Sequence, residues 1–399
     1  MSHREFVAFL ATMSVTIAMA IDVMLPALGE MKASFGLPPD SNSIALTVTL
    51  YFVGMSAAQL FYGPLADHYG RRLVLYLGLA IYLVGAAGSA LAPSLGVLLV
   101  SRFVWGVGAA AMRVLSNTLP RDVFDGDRMA RVMSLVMTVF LLGPIVAPLI
   151  GQGLLQFASW RFVFGAGAVS AVVVVIWSFR LEETLDPINK LPLGFTRITG
   201  AIRAVLATRQ TRWYAIAQIF IYGNLLMFLA SSELLFDVVY GRSEIFAVAF
   251  SAAGALGAAV AYTNARVVER FGAGRMMMVG AIASVSLSAT LAVVALAGDG
   301  APSFWLWWAL VAVLSSMFAI LIPTSNALAM QPMGHLAGTA AAVVGTFAMG
   351  GGSLLGAVID RTLSDSVTPQ TVAFLAFSLA TVVCVRLAHR PALVGAPVA

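Results

Sequence analysis

The chain has 399 residues, of which 60% are hydrophobic and 10% charged, with a formal net charge of +5. A water-soluble surface takes roughly 25% charged residues, so this composition excludes a soluble globular fold. The basic excess does not make a nucleic-acid binder either, because the Lys and Arg residues are scattered through short loops rather than gathered on one face. Cys384, the only cysteine, falls in the last apolar run, which leaves no disulfide framework and no cysteine-based metal cluster. No phosphate-binding glycine loop, His-Glu-x-x-His pair or CxxC pair occurs, and His3, His68, His335 and His389 lie at loops or ends. No enzyme, metal or cofactor is therefore expected.

The first apolar run, Phe6–Leu28, follows His3 and Arg4. Its Ala18-Met19-Ala20 imitates the cleavage site of a secretory leader, but the run is long enough to cross a bilayer and is read as a retained first span. Asp22 lies about 24 Å along it at 1.5 Å per residue, in the outer third of a ~30 Å core. An ionisable side chain there costs roughly 2.5–3.5 kcal/mol and needs a reason. Either it binds and releases a proton, or it reaches the outer headgroups where Pro26 ends the helix.

Runs two and three, Ser43–Tyr62 and Leu73–Ala92, flank the charged loop Gly63-Pro64-Leu65-Ala66-Asp67-His68-Tyr69-Gly70-Arg71-Arg72. Asp67 can cap the following helix or pair with Arg71 and Arg72, and Gly70 permits a reversal that a Cβ would obstruct. Run four, Leu95–Leu119, carries Arg102 at a depth matching Asp22 to within about a turn. Loss of the Asp22 proton would create a buried ion pair between them, either a switch or a fixed structural pair. Arg113 is three turns further on the same face, lining a cavity or snorkelling to the inner surface. Run five, Ala130–Leu155, holds Gly143, Pro144, Pro148 and Gly151. The prolines remove two backbone donors from one face and the glycines allow close contact, which makes a bend or a packing groove. Run six is Phe162–Phe179.

Arg180 to Arg212 is the long polar stretch. Phe195, Ile198, Ile202 and Val205 alternate there with Arg197, Arg203 and Arg209, as in a helix lying on a membrane surface. Six further runs follow: Trp213–Phe236, Ile245–Tyr262, Met276–Ala297, Phe304–Met330, Ala337–Ile359 and Thr371–Leu387. In the first of these Phe220, Asn224, Met227 and Glu233 are candidates, with Arg113, to line a substrate cavity; core or interfacial packing explains them equally. Ala265 to Gly272 echoes Gly63 to Gly70 at an offset of 202, aligning Glu269 with Asp67 and Gly272 with Gly70. The same offset puts Asn224 opposite Asp22, so the titrating site exists in one half only. The expected units are a six-helix bundle over 1–180, a cytoplasmic linker over 181–212 and a second six-helix bundle over 213–399. Of the 23 Lys and Arg residues, Lys32, Arg161, Arg242 and Arg361 fall on one side, Arg102 and Arg113 within the fourth span, and the rest on the other. That asymmetry predicts both termini in the cytoplasm.

Gly63 to Arg72 also resembles the loop between spans two and three of the major facilitator superfamily of secondary transporters, Gly-x-Leu-(small)-Asp-x-x-Gly-Arg-Arg/Lys, at every fixed position. Asp22-Val23-Met24-Leu25-Pro26-Ala27 is similar to the first-span element of the bicyclomycin-resistance/CflA-type drug:proton antiporters. Ser101 to Ala109 resembles the fourth-span motif Arg-x-x-Gln-Gly-x-Gly, linked in the family to proton coupling, with Trp105 in place of Gln. Gly143 to Gly151 resembles the fifth-span antiporter motif, and Trp160-Arg161-Phe162-Val163-Phe164 the opening of the sixth span. Ser14 stands where some multidrug relatives carry a second membrane acid, which argues against broad cation export.

The resemblance implies an all-α membrane protein of twelve transmembrane helices in two pseudo-symmetric bundles, the major facilitator fold. It implies a proton-coupled efflux antiporter of the inner membrane that exports small hydrophobic drugs by alternating access. Asp22 would carry the proton with Arg102 as partner. Gly63, Asp67, Gly70, Arg71 and Arg72 would latch the halves on the cytoplasmic face in the outward-open state. Its partners would be drugs, protons and the lipid bilayer, with no nucleic acid and no cofactor beyond the proton gradient, and it would act as a monomer. The rival reading is a proton-coupled importer of a small metabolite.

Overall fold

A computed structural model describes residues 1–38, 41–190, 195–363 and 365–389. Residues 191–194 of the linker and the stretch beyond 389 lie outside them. Lipid offers the backbone no hydrogen bonds, so an apolar run must satisfy its amides internally, and all twelve do so as helices. The spans are His3–Ser34, Ser43–Tyr69, Arg71–Ala90, Leu95–Val123, Arg131–Leu155, Trp160–Ser178, Arg209–Val239, Ser243–Phe271, Ala273–Ala297, Phe304–Gly334, Gly338–Asp360 and Thr368–His389. Leu77, Val84, Val169, Ile176, Val279 and Val358 are exposed along them, as lipid-facing positions should be.

Proline sets the breaks. The first span does not end at Pro26: its α-helix runs to Asp22, passes through a 3-10 turn at Leu25–Ala27, and resumes over Leu28–Ser34. The fifth span is interrupted at Leu142, between Gly126–Leu141 and Gly143–Leu155. There Pro144 and Pro148 withhold donors from carbonyls one turn back.

Spans one to six pack among themselves, as do spans seven to twelve. The bundles meet where the second span lies along the eleventh and the fifth along the eighth. The halves repeat one another at their tight turns: Gly70 (φ 103°) and Gly272 (φ 82°) both adopt a left-handed conformation between consecutive spans. L side chains resist that conformation, so glycine is required twice. Two boundaries differ from the sequence expectation. Leu181 and Leu185 are buried, so the packing of the first bundle continues past residue 180. The helix Phe195–Ala207 turns Ala201 and Val205 onto Ala340, Val343 and Val344 of the eleventh span. Ile198, Ala201 and Val205 of this helix are buried by protein.

The polar contacts joining the bundles cluster on the face opposite the termini. Asn42 Nδ2 donates to the Asp360 carbonyl (2.7 Å), Gln152 Nε2 donates to the Glu244 carbonyl (2.7 Å), and the Gly29 amide donates to Glu233. The seam is thus tied by side-chain hydrogen bonds at the far face.

Candidate functional site

The site is built where the first, second and fourth spans cross. Glycine lets them approach: a Cβ on Gly106 would sit 1.9 Å from the Tyr51 carbonyl oxygen. With the backbones this close, Arg102 is fully buried and reaches two neighbouring helices. Its Nη1 donates to the Ala20 carbonyl (2.9 Å) and its Nε to the Thr47 carbonyl (3.1 Å). The guanidinium lies 4.7 Å from the Tyr51 ring, 4.9 Å from Trp105 and 5.7 Å from Phe164. Cation–π attraction strengthens when the ion is out of water. Trp105, standing where the related motif has Gln, supplies a ring face here; its indole N–H has no partner among the described residues.

Asp22 is buried, 6% exposed, which excludes the headgroup reading. No hydrogen bond or ion pair to its carboxyl forms among the described residues. The expected Asp22–Arg102 pair is therefore not made in this state. Arg102 instead holds the Ala20 and Thr47 carbonyls inside its aromatic cage, and its Nη2 has no hydrogen-bond partner among the described residues. Asp22 stands at the C-terminal end of the first α-helical segment, where the fifth span cradles it. A Cβ on Gly143 would lie 2.7 Å from Ala18 Cβ and 3.8 Å from Asp22 Oδ2, and one on Gly151 would lie 2.0 Å from the Val23 carbonyl. The Gly143–Gly151 element is thus a packing groove for the first span. Its Pro144 carbonyl would lie 3.2 Å from a Cβ on Gly254 of the eighth span, across the bundle seam. Tyr51 lies within electrostatic range of Asp22, Arg102 and Arg113 together, and Arg113 is partly exposed on the termini side of that trio.

The other expected cavity residues do not line one opening. Asn224 donates to Ser378 Oγ of the twelfth span (3.5 Å), Phe220 packs on Phe377 (6.0 Å between rings), and Met227 is fully buried beside Gly356. All three are held by neighbours within the second bundle. Glu233, expected at the interface, is buried at the far seam, where a Cβ on Gly29 would lie 3.0 Å from its Oε1 and 3.9 Å from Asp237 Oδ2. Lys32 of the first span is also in range of Glu233.

The charged loop behaves as expected within its own bundle. Arg71 Nη1 meets Asp67 Oδ1 at 2.6 Å, and its Nε meets Asp122 Oδ2 at 2.9 Å. Glu183 accepts from the backbone amides of Arg71 (2.8 Å) and Arg72 (3.2 Å), closing the N-terminus of the third span. Arg72 Nη2 donates to Tyr76 Oη (3.1 Å). These partners of Arg71 and Arg72 belong to the first bundle and the start of the linker. The sequence reading missed Asp122, Glu183 and Asp360. The first two carried a weak signal as acids just past the fourth and sixth spans. Asp360, at the end of an apolar run and just before Arg361, is 3% exposed.

The comparisons agree with this geometry. Residues 6–391 match the model of the Major Facilitator Superfamily. The chain is 26% identical over 367 residues to a bicyclomycin resistance protein homolog of Haemophilus influenzae, covering 92% of this chain and 91% of that one. It is 26% identical over 392 residues to a chloramphenicol resistance protein of Pseudomonas aeruginosa, covering 94% and 88%. A D-xylose–proton symporter superposes with a TM-score of 0.76 at 13% identity, covering 96% and 97%, which speaks to fold alone. With twelve membrane spans in two bundles and a family match over nearly its whole length, the chain belongs to the major facilitator superfamily, a family of transporters rather than enzymes.

Proposed function

We propose that the protein is a proton-coupled exporter of small hydrophobic drugs in the inner membrane, with both termini in the cytoplasm, working as a monomer by alternating access. The observation that carries the reading is Asp22: a carboxyl buried without donor or counter-charge, beside a break in its helix and two residues from the carbonyl that holds Arg102. An ionised carboxyl in that setting is costly, so gaining or losing a proton changes which arrangement of the first span is favoured. When the proton leaves, Arg102 is the cation within reach, and drawing the two together would pull on the Ala20 and Thr47 carbonyls it now holds. That links proton release to movement of the first and second spans. Asp67, Gly70, Arg71 and Arg72, with Gly63 at the head of the loop, would engage the second bundle when the cytoplasmic face closes. The proton gradient alone supplies the driving force. The naming of the two curated relatives for resistance to drugs supports the direction of transport.

The test is drug accumulation in an efflux-deficient host, with and without an uncoupler, for wild type and Asp22→Asn. Wild type should lower accumulation until the gradient is collapsed, and Asp22→Asn should not lower it at all. Normal export by Asp22→Asn would refute the proton-carrier role. Failure of wild type to reduce accumulation of any amphipathic drug would refute export.

A further inference from the structure

A second carboxyl in the molecule is sealed more tightly than Asp22. Asp360 closes the eleventh span at the far face, is 3% exposed, and among the described residues neither of its carboxyl oxygens has a hydrogen-bond partner. Its own carbonyl meanwhile accepts from Asn42 at the start of the second span, across the seam between the bundles (2.7 Å). Among the described residues, the charged groups on the surrounding elements are Glu233 and Asp237 at the end of the seventh span and Arg361 and Asp365 in the following loop. None of them donates to it. The segment of the facing span from Asn42 to Tyr62 contributes no charge.

Glu233 offers a useful contrast, since it has a backbone donor and Lys32 in range. Asp360 has neither, so an ionised form there is uncompensated, and neutral acid is the form that fits the closed seam. Opening the far face must part the second span from the eleventh, break the Asn42 bond and admit water to Asp360. We propose that Asp360 is a second proton-binding site, distinct from Asp22. It takes a proton from the far side as the seam shuts and surrenders it to the same side when the seam opens, so low far-side pH holds the transporter closed there. The proposal rests on alternating access as read above, but concerns gating rather than the coupled proton.

Spin labels at Phe157→Cys and Ser243→Cys, both exposed on far-side loops of opposite bundles, report the seam in a Cys384→Ser background. Distances would be read by electron–electron resonance across a pH series on the full chain in lipid. With Asp360 unaltered, the far-open population should rise with pH. In Asp360→Asn it should stay low throughout, in Asp360→Glu it should titrate again, and in Glu233→Gln it should keep its slope. Infrared spectra give a readout independent of transport: one component of the protonated-carboxyl C=O band should be lost in Asp360→Asn and retained in Asp22→Asn, which loses a component of its own. Coincident pH curves for unaltered Asp360 and Asp360→Asn, a pH response lost in Glu233→Gln, or an unchanged carboxyl band in Asp360→Asn would each overturn the proposal. Loss of drug export in Asp22→Asn alone, with the Asp360 titration intact, would leave both readings standing. A wild type that titrates at Asp360 but exports nothing would refute export only.

Discussion

Replacing Gly106 by Ala tests whether the fourth-span crossing holds the site together. The added methyl would lie 1.9 Å from the Tyr51 carbonyl oxygen, 2.8 Å from its carbon and 2.9 Å from the Met55 amide, all backbone atoms with no rotamer to escape into. Ordinary contact begins near 3.4 Å, so the second and fourth spans must part by about 1.5 Å. That shift carries Thr47 beyond hydrogen-bonding reach of Arg102, whose bond is already 3.1 Å. Overpacking costs roughly 1–3 kcal/mol and a lost charged hydrogen bond about 1.5–3 kcal/mol, giving about 2.5–6 kcal/mol together. The control is Gly165→Ala in the sixth span, where nothing stands within 4 Å of the new methyl. Relief of helical glycine there should stabilise by up to about 1 kcal/mol. Both variants would be followed by reversible unfolding in mixed micelles, and their export measured in cells. Gly106→Ala unfolding with wild-type stability would show that the spans are not in the contact that places Arg102.

Glu183→Ala leaves the Arg71 and Arg72 amides without their carboxylate, and melting should shift down by the equivalent of about 1–3 kcal/mol; an unchanged melting curve would show that water serves those amides equally well. Arg102→Lys keeps the charge but loses the planar fork that reaches two carbonyls while facing three rings. Export should fall at least tenfold with the protein still folded, and wild-type export would refute the need for the fork. Asn42→Ala removes a bond that crosses the seam at the far face. A loss of about 1 kcal/mol should raise the far-open population about fivefold in the same spin-label measurement, and no shift would mean that the bond forms equally well in both states.

Much of this was legible in the residues. Twelve apolar runs gave twelve spans, because a bilayer leaves a long apolar segment no other way to satisfy its amides. The echo between Gly70 and Gly272 was visible as spacing and is realised as backbone conformation. What the residues concealed was direction. Asn224 and Met227 lie on one helix, but a helix presents a new face every residue, and only the packed bundle shows that they turn toward the twelfth and eleventh spans. Depth matching placed Asp22 beside Arg102 correctly in height. It could not show that Ala20 and Thr47 offer carbonyls first, because backbone acceptors are the same at every position of a sequence. Asp360 escaped notice since an acid followed by Arg361 at the end of an apolar run reads as solvated, whereas a neighbouring bundle covers it.

The Glu183 clamp also decides where this polypeptide can be severed. Glu183 closes the third span, Thr184 Oγ1 donates to Asp122 Oδ2 (3.0 Å), and Leu181 and Leu185 are buried. A fragment that stopped at residue 180 would leave its own third span uncapped. One that stopped at Lys190 would carry every group it needs, so two co-expressed pieces divided there are the pair that should find each other in the membrane and reassemble.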